Sequence, residues 1–157
     1  MNDPARPPGA LAASVPGAPR SHPPLEAFLS APGAHLARGP IAILLIEDEA
    51  EVAATLAHHL RLGFRKILAL SPEPLAAGQL PPDDKGRIVN LRFDARRPGA
   101  HVRGVNAVIE RAPAGTWIYY GYNAEFLFFP FCETRTIGEM LTFHAEERRR
   151  AMLTYVV

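Results

Sequence analysis

The most aromatic stretch of the sequence, WIYYGYNAEFLFFP, carries two polar side chains that could do chemistry, Asn123 and Glu125. An isolated ionised carboxylate in an apolar interior costs free energy unless it is paired, hydrogen-bonded or bound to a metal. Two interpretations of Glu125 follow. Either the carboxylate lies at the mouth of a ligand site, or the strand has ended by Gly121 and the carboxylate is solvated.

Other polar residues stand in a similar position, directly after an apolar run. They are Glu47, Asp48, Glu49, Ser71 and Asp94. Ligands of open α/β sheets bind outside the carboxyl ends of the strands, often where the strand order reverses. The spacing therefore predicts one polar rim, to which Asn123 and Glu125 also belong.

The segments between these residues predict an open, mostly parallel α/β sheet with flanking helices, of the Rossmann-like kind. The continuous aliphatic run at 41–47 is typical of a strand buried on both faces. Further strands are predicted at 64–70, 87–93, 117–122 and 153–157. Apolar residues at helical spacing predict helices at 48–63, 100–112 and 136–153. The order strand, helix, strand implies parallel pairing with right-handed crossovers.

The first of these helices has its own start and stop signals. Asp48 is the expected N-cap, Glu51 completes a capping box, and Gly63 is a good residue to end the helix. His58 and His59 are adjacent, so they point to different faces of the helix and cannot chelate one metal. We expect one at the helix surface and the other at the edge of the core.

The first 39 residues differ in composition from the rest of the chain. They are mostly Pro, Ala, Gly and Ser, so we interpret 1–39 as a disordered or extended leader. Within it, the stretch LEAFLSA favours one or two helical turns that dock Leu25, Phe28 and Leu29. The folded domain is expected over 40–157, and its apolar last strand favours an incomplete domain.

Composition excludes several classes of function. Seventeen basic residues against sixteen acidic ones leave a formal net charge of +1, which gives no electrostatic argument for nucleic acid or an anionic membrane. The single cysteine, Cys132, excludes an internal disulfide framework and a multi-cysteine zinc site. No apolar run reaches the roughly 18–20 residues of a membrane-spanning helix, and the N-terminus lacks the pattern of a secretory signal. We therefore expect a cytoplasmic protein.

The stretch ILLIEDEAEVAATLAHHLRLGF resembles the opening of a response-regulator receiver domain. The resemblance implies a signalling domain in which acids after the first strand help to bind magnesium and Asp94 accepts a phosphoryl group. Two positions depart from the receiver pattern. Asn123 stands where a receiver has a hydroxyl residue, and Phe129 rather than a lysine precedes Pro130. The receiver is therefore the alternative interpretation.

A second resemblance covers about residues 41–157. The pair Asp48 and Glu49, with the helix that follows, is similar to an Asn-Glu pair in family 2-type glycosyltransferases of the nucleotide-sugar-binding GT-A fold. Further on, that family has a helix with an asparagine, a tryptophan that opens a strand, and then Asp-x-Asp-Glu-Phe. This chain has the same order in Asn106, Trp117 and the pair Glu125-Phe126.

The glycosyltransferase resemblance implies transfer of a sugar from a nucleotide-sugar donor to an acceptor hydroxyl, with general-base help. The residues that it places against the donor are Glu47, Asp48, Glu49, Ser71, Asn123 and Glu125. The family's catalytic base lies in a region after this sequence, so no catalytic residue is assigned.

The same resemblance implies a divalent cation, Mn²⁺ or Mg²⁺, held against the diphosphate. The family's two aspartates are replaced here by Tyr122 and Ala124, which leaves Glu125 as the single candidate metal ligand. This departure opens a third interpretation, a non-catalytic domain on the glycosyltransferase scaffold. The aromatic run at 126–131 is expected to lie in the core or to pack on a missing region or a partner.

Overall fold

A computed structural model of the chain describes residues 21–32, 36, 39–83 and 85–157. Its centre is a four-stranded sheet built from β1 Ile41–Leu45, β2 Lys66–Ser71, β3 Ile88–Arg92 and β4 Ile118–Tyr122. Every neighbouring pair is parallel, and the strand order is β3-β2-β1-β4. The predicted open, parallel α/β sheet is confirmed. For residues 1–20, 33–35, 37 and 38 of the leader predicted at 1–39, the prediction lies outside the described part of the chain.

Helices cover both faces of the sheet. They are α1 Leu25–Ser30, α2 Val52–Arg61, α3 Ala100–Arg111 and α4 Ile137–Glu146. Helix α2 connects β1 to β2 over one face, and α3 carries the chain from β3 back to β4 over the other. The direction of strand addition therefore reverses beside β1, which creates a topological switch point between β1 and β4. None of the helices in the described segments is long and apolar enough to cross a membrane.

Strand β1 shows why the sheet needs continuous aliphatic sequence. Successive side chains point to opposite faces of a strand, and both faces of β1 are buried. Ala42 and Leu44 pack on the side of α2, which we call the α2 face. Ile41, Ile43 and Leu45 pack on the side of α1 and α3, which we call the α3 face.

The stretch LEAFLSA, predicted to form a short helix that docks on the domain, forms such a helix. Helix α1 buries Leu25 and Leu29 on the α3 face. Just before it, the Arg92 N–H donates to the Pro23 carbonyl at 2.8 Å, and Pro24 forms a parallel bridge with Arg92. A segment that precedes residue 40 therefore adds to the core and extends the sheet beyond β3.

The start of α2 corrects one prediction, because Asp48 is not its N-cap. The helix begins at Val52, after Glu51, whose φ of 49° lies in the left-handed region. The Asp48 carboxylate accepts the Ala50 N–H at 2.8 Å and so closes a turn within the loop. A short polar side chain that bonds the backbone locally competes with helix capping. Gly63 ends the helix region as predicted, at a φ of +91°.

The two adjacent histidines of α2 are both buried, whereas one was expected at the surface. His58 is covered by Phe126 and Phe128, and its Nε2–H donates to the Leu127 carbonyl at 2.8 Å. The segment after β4 therefore covers the outer side of α2. His59 faces the sheet, as expected for a residue at the core.

The last helix is shorter than the predicted 136–153. Its capping box of Thr136 and Glu139 is intact, but Arg148 adopts a left-handed φ of 56°. The Arg149 N–H donates to the His144 carbonyl at 2.9 Å, a bond typical of a Schellman ending. The chain then forms β6 Tyr155–Val156, which pairs antiparallel with β5 Leu127–Phe128 outside the main sheet.

Candidate functional site

The acids after β1 and the polar residues after β4 leave the sheet from neighbouring strand ends. In the parallel register Leu45 pairs with Tyr122, so the segments 46–51 and 123–126 begin side by side at the carboxyl edge. They border the switch point between β1 and β4, where ligands of open α/β sheets bind. We call this part of the edge the acidic rim, made of 47–49 and 122–125.

Asn123 ties the two halves of the acidic rim together. Its Oδ1 accepts the Glu47 N–H at 2.9 Å, and its Nδ2 donates to the Asp48 carboxylate and to the Ala50 carbonyl. Its own N–H donates to the Leu45 carbonyl at 3.0 Å. Asn123 is 9% exposed. Its position is therefore that of a clamp that fixes the loop between β1 and α2.

The loop that Asn123 fixes carries two solvent-exposed carboxylates. Glu47 and Glu49 are exposed, and neither carboxylate takes part in a hydrogen bond or ion pair among the described residues. Burial and then the carboxylates of Glu47 and Glu125 raise the pKa of the Tyr122 phenol. The phenol therefore lies within the field of acids from both strands, and the rim is negatively charged.

Glu125 is neither fully solvated nor paired with a base. Its Oε2 accepts the Tyr122 N–H at 2.8 Å. Trp117 and Asn123 both bond to β1, because the Ile41 N–H donates to the Trp117 carbonyl and the Asn123 N–H donates to the Leu45 carbonyl. Alternate residues of a strand bond to the same neighbour, so the odd-numbered residues of β4 face β1 and the Tyr122 N–H points to the opposite, free edge. The half-buried carboxylate therefore satisfies the last N–H on the free edge of β4.

The α2 face of β4 holds a residue that the sequence analysis did not single out, Tyr119. Its hydroxyl is buried without a hydrogen-bond partner in the described chain, and its ring stacks on His59 at 5.3 Å between centroids. Burial and then the Glu125 charge raise the pKa of Tyr119. A Cβ on Gly121 would clash with this hydroxyl and lie 3.0 Å from Glu125 Oε2. A glycine inside a strand, which marks close approach of other groups, was the available signal.

Ser71, the predicted rim residue after β2, makes its hydrogen bonds to residues outside the acidic rim. It is buried, its hydroxyl donates to the Glu73 carbonyl at 2.7 Å, and it accepts the Asn90 amide at 2.7 Å. His22 Nε2 lies 3.3 Å from the same hydroxyl. The residues before α1 therefore cover this end of β2.

Asp94 is also separate from the acidic rim. Its carboxylate accepts the Nε–H groups of Arg96 and Arg97 at 3.3 and 3.0 Å. Desolvation alone would raise the pKa of Asp94, but these hydrogen bonds outweigh it and lower the pKa below its ordinary value. Because β2 stands between β3 and β1, two strand spacings, about 10 Å, separate the ends of those strands. Receiver-like sheets instead have the order 2-1-3-4-5, with β1 beside β3. The observed strand order does not favour the receiver interpretation.

The acidic rim offers a metal ion few ligands from the chain. Among residues 21–32, 36, 39–83 and 85–157, no three His, Cys, Asp or Glu side chains are grouped to hold one. One oxygen of Glu125 already accepts the Tyr122 N–H. The residues present therefore fit only a cation that is bound mainly by the phosphates of its ligand, as Mg²⁺ often is.

Comparison of the chain with protein-family models, with curated proteins and with solved structures finds no match. What the molecule can do must therefore be inferred from its own residues. The feature with the clearest chemistry is the acidic rim at the switch point, with exposed carboxylates on a loop that Asn123 holds in place.

Proposed function

We propose that the acidic rim binds the nucleotide part of a nucleotide sugar. The domain would be the donor-binding part of a family 2-like glycosyltransferase with a GT-A fold, which transfers the sugar to an acceptor hydroxyl. The observation that carries the proposal is the switch point beside β1 in a parallel sheet of order β3-β2-β1-β4. Nucleotides bind in this crevice in sheets that begin with the same order.

The exposed carboxylates supply the recognition. Glu47 and Glu49 accept hydrogen bonds from ribose hydroxyls, the role that an acid after a strand has in dinucleotide-binding sheets. Because Asn123 already holds their loop, binding does not have to order it, which lowers the entropic cost of association.

The charge of the rim sets a requirement for the diphosphate. The four acids of the rim repel it, so a divalent cation bound mainly by the phosphates is needed to offset the repulsion. Glu125 is the carboxylate of the chain that we assign to that cation. The remaining residues bind and orient the nucleotide.

Nucleotide binding is tested by thermal unfolding of the whole chain with UDP or GDP, each with and without Mn²⁺. A ligand that binds only the folded state raises the unfolding midpoint saturably. We expect Glu49→Gln to weaken the effective nucleotide at least about fivefold, since a charge-assisted hydrogen bond becomes a neutral one. Glu26→Gln, at an exposed position on α1, is the matched control and should bind as the parent does. No stabilisation by either nucleotide, with or without Mn²⁺, would overturn the proposal.

A second candidate, nucleotide-sugar binding without turnover, is favoured by one observation. Asn123 lies between the positions of the family's two aspartates, and the protein uses its side chain as the clamp of the β1–α2 loop. A protein that binds UDP but releases none from UDP-glucose, with water or with an added sugar acceptor, would support this candidate. Release of UDP above the rate of the Glu125→Gln variant would support the enzyme.

A further inference from the structure

A second candidate binding site lies at the other end of β4. A cavity of about 550 Å³ opens between the amino end of β4, helix α4 and the segment 149–154. Its size falls within the range of small-molecule sites. Much of its wall is apolar and includes Phe64, Trp117, Met140, Leu141 and Met152. About six residues of extended chain, roughly 20 Å, separate Trp117 from the acidic rim at Asn123.

The polar groups of this cavity include several hydrogen-bond donors and no acid. Arg149 and Arg150 line it, and neither guanidinium forms an ion pair with any residue in the described ranges. Ile118 also lines it, and the pairing of β4 with β1 leaves the Ile118 N–H pointing to the free edge. None of the lining residues is Asp or Glu.

We infer that this cavity binds an amphiphilic anion, an aliphatic or aromatic carboxylate whose apolar part enters the cavity and whose carboxylate meets Arg149 and Arg150. Apolar walls with a few polar groups are the usual composition of a small-molecule site. Guanidinium groups bind carboxylates through paired hydrogen bonds. The inference does not depend on the nucleotide site, because no residue of the acidic rim lines the cavity.

The chain carries its own reporter for this site. Trp117 is the single tryptophan, and it lines the cavity, so its fluorescence reports on the cavity alone. The probe is decanoate, kept below its micelle concentration, with decanol as the uncharged match and acetate as the match without a tail. We expect a saturable change in Trp117 emission with decanoate. Decanol should bind at least about tenfold more weakly, because it lacks the charged group that meets the arginines. Acetate should cause no change in emission.

Matched variants separate the two halves of the site. The double variant Arg149→Gln/Arg150→Gln should weaken decanoate at least about tenfold, whereas Arg148→Gln, at an exposed neighbour that does not line the cavity, should leave it unchanged. Ala151→Phe should fill part of the cavity and weaken decanoate and decanol alike. Its control is Ala145→Phe, at an exposed residue of α4 outside the lining.

Three results would overturn the inference. The first is equal binding of decanol and decanoate, which would remove the role of the arginines. The second is unchanged decanoate binding in the double arginine variant when circular dichroism shows that it is folded. The third is a ligand-free dimer in which Trp117 is already shielded from acrylamide, because a second copy of the chain would then occupy the cavity.

Discussion

The two faces of the sheet are built from different chemistry. The α3 face is aliphatic, with Leu25, Leu68, Leu91 and Val108 buried against one another. The α2 side keeps polar groups in its interior. Five buried side-chain nitrogen and oxygen atoms without a hydrogen bond in the described chain lie on or beside it. Asp83 Oδ1 and Arg87 Nε form an ion pair with each other at 3.7 Å, and the other three are His59 Nε2, Tyr119 OH and His144 Nδ1.

The difference in buried polar groups between the two faces affects their contributions to stability. A buried polar group without a partner costs about 1–3 kcal/mol, so a face that only had to be stable would resemble the α3 face. The α2 face also borders the cavity that Arg149 and Arg150 line. It reaches the acidic rim where Tyr119 and Gly121 lie beside Glu125. Violations of local packing rules are expected to cluster at functional sites. The α3 face therefore makes the larger contribution to stability, and the polar groups of the α2 face lie beside the two proposed sites.

The largest expected effect tests the aliphatic face. Leu25→Ala should lower the free energy of unfolding by about 3 kcal/mol, because it removes a fully buried leucine side chain and leaves a cavity. Since its surroundings are aliphatic, the loss should be the same at pH 7.5 and pH 4.5. Urea unfolding measures both values. Leu153→Ala, at a residue that is 89% exposed, should change stability by less than about 0.5 kcal/mol. A loss at Leu25 below 1 kcal/mol would show that α1 is not part of the core.

The next effect tests the polar face by pH. Burial, and with it the neighbouring His58, lowers the pKa of His59 to about 4 despite its bond to the Thr55 carbonyl. Above pH 6.5 both folded and unfolded states keep this imidazole neutral. As the pH falls below 6.5 the unfolded state takes up the proton first, so stability decreases until the folded state also binds it near pH 4. From pH 7.5 to pH 4.5 the expected loss is about 2.5 kcal/mol.

The His59→Phe variant isolates this contribution. It should remove that part of the pH dependence, whatever its effect on stability at pH 7.5. His101→Gln, on α3 and away from the polar face, is the matched control and should keep the parent's slope. Equal slopes in the parent and in His59→Phe, measured by urea unfolding across pH 4.5–7.5, would show that the imidazole is not buried in its neutral form.

The clamp of the acidic rim comes third. Asn123→Ala removes hydrogen bonds to Glu47, Asp48 and Ala50, one of them to a carboxylate, and should cost about 2 kcal/mol. The comparison is Asn106→Ala, at an exposed position of α3, which should change stability by no more than about 0.5 kcal/mol. Thermal unfolding gives both values. A cost at Asn123 no larger than at Asn106 would remove the clamp from the description of the rim.

Much of the α3 face and of the sheet could be predicted from the sequence. Strands that are covered on both sides need unbroken aliphatic runs, and 41–47 is such a run. Parallel pairing places the ends of β1 and β4 at the same edge, and the docking of Leu25 and Leu29 follows from their spacing. These features depend on local pattern and on general rules of sheets. That β1 and β4 are neighbours depends on the strand order, which the sequence pattern did not predict.

The use of each rim residue could not be predicted in the same way. Asp48 fits an N-cap pattern, but Asn123, 75 residues away in sequence, donates to its carboxylate and helps to hold it in the loop. The cavity likewise needs Phe64, Trp117 and Arg150 to meet in space. Whether a polar group is a cap, a clamp or a binding group depends on partners that are distant in sequence. The spacing of neighbouring residues does not predict those partners.

The smallest effect concerns two adjacent tyrosines of β4 and has the opposite sign. The Tyr119 hydroxyl is buried without a partner in the described chain, so Tyr119→Phe should raise the free energy of unfolding by about 1 kcal/mol. Tyr120, on the opposite face, is 51% exposed, and Tyr120→Phe should leave stability unchanged. Urea unfolding at pH 7.5 measures both. A loss of stability in Tyr119→Phe would mean that the hydroxyl donates to Glu125 across Gly121, and the α2 face would then owe part of its stability to that polar contact.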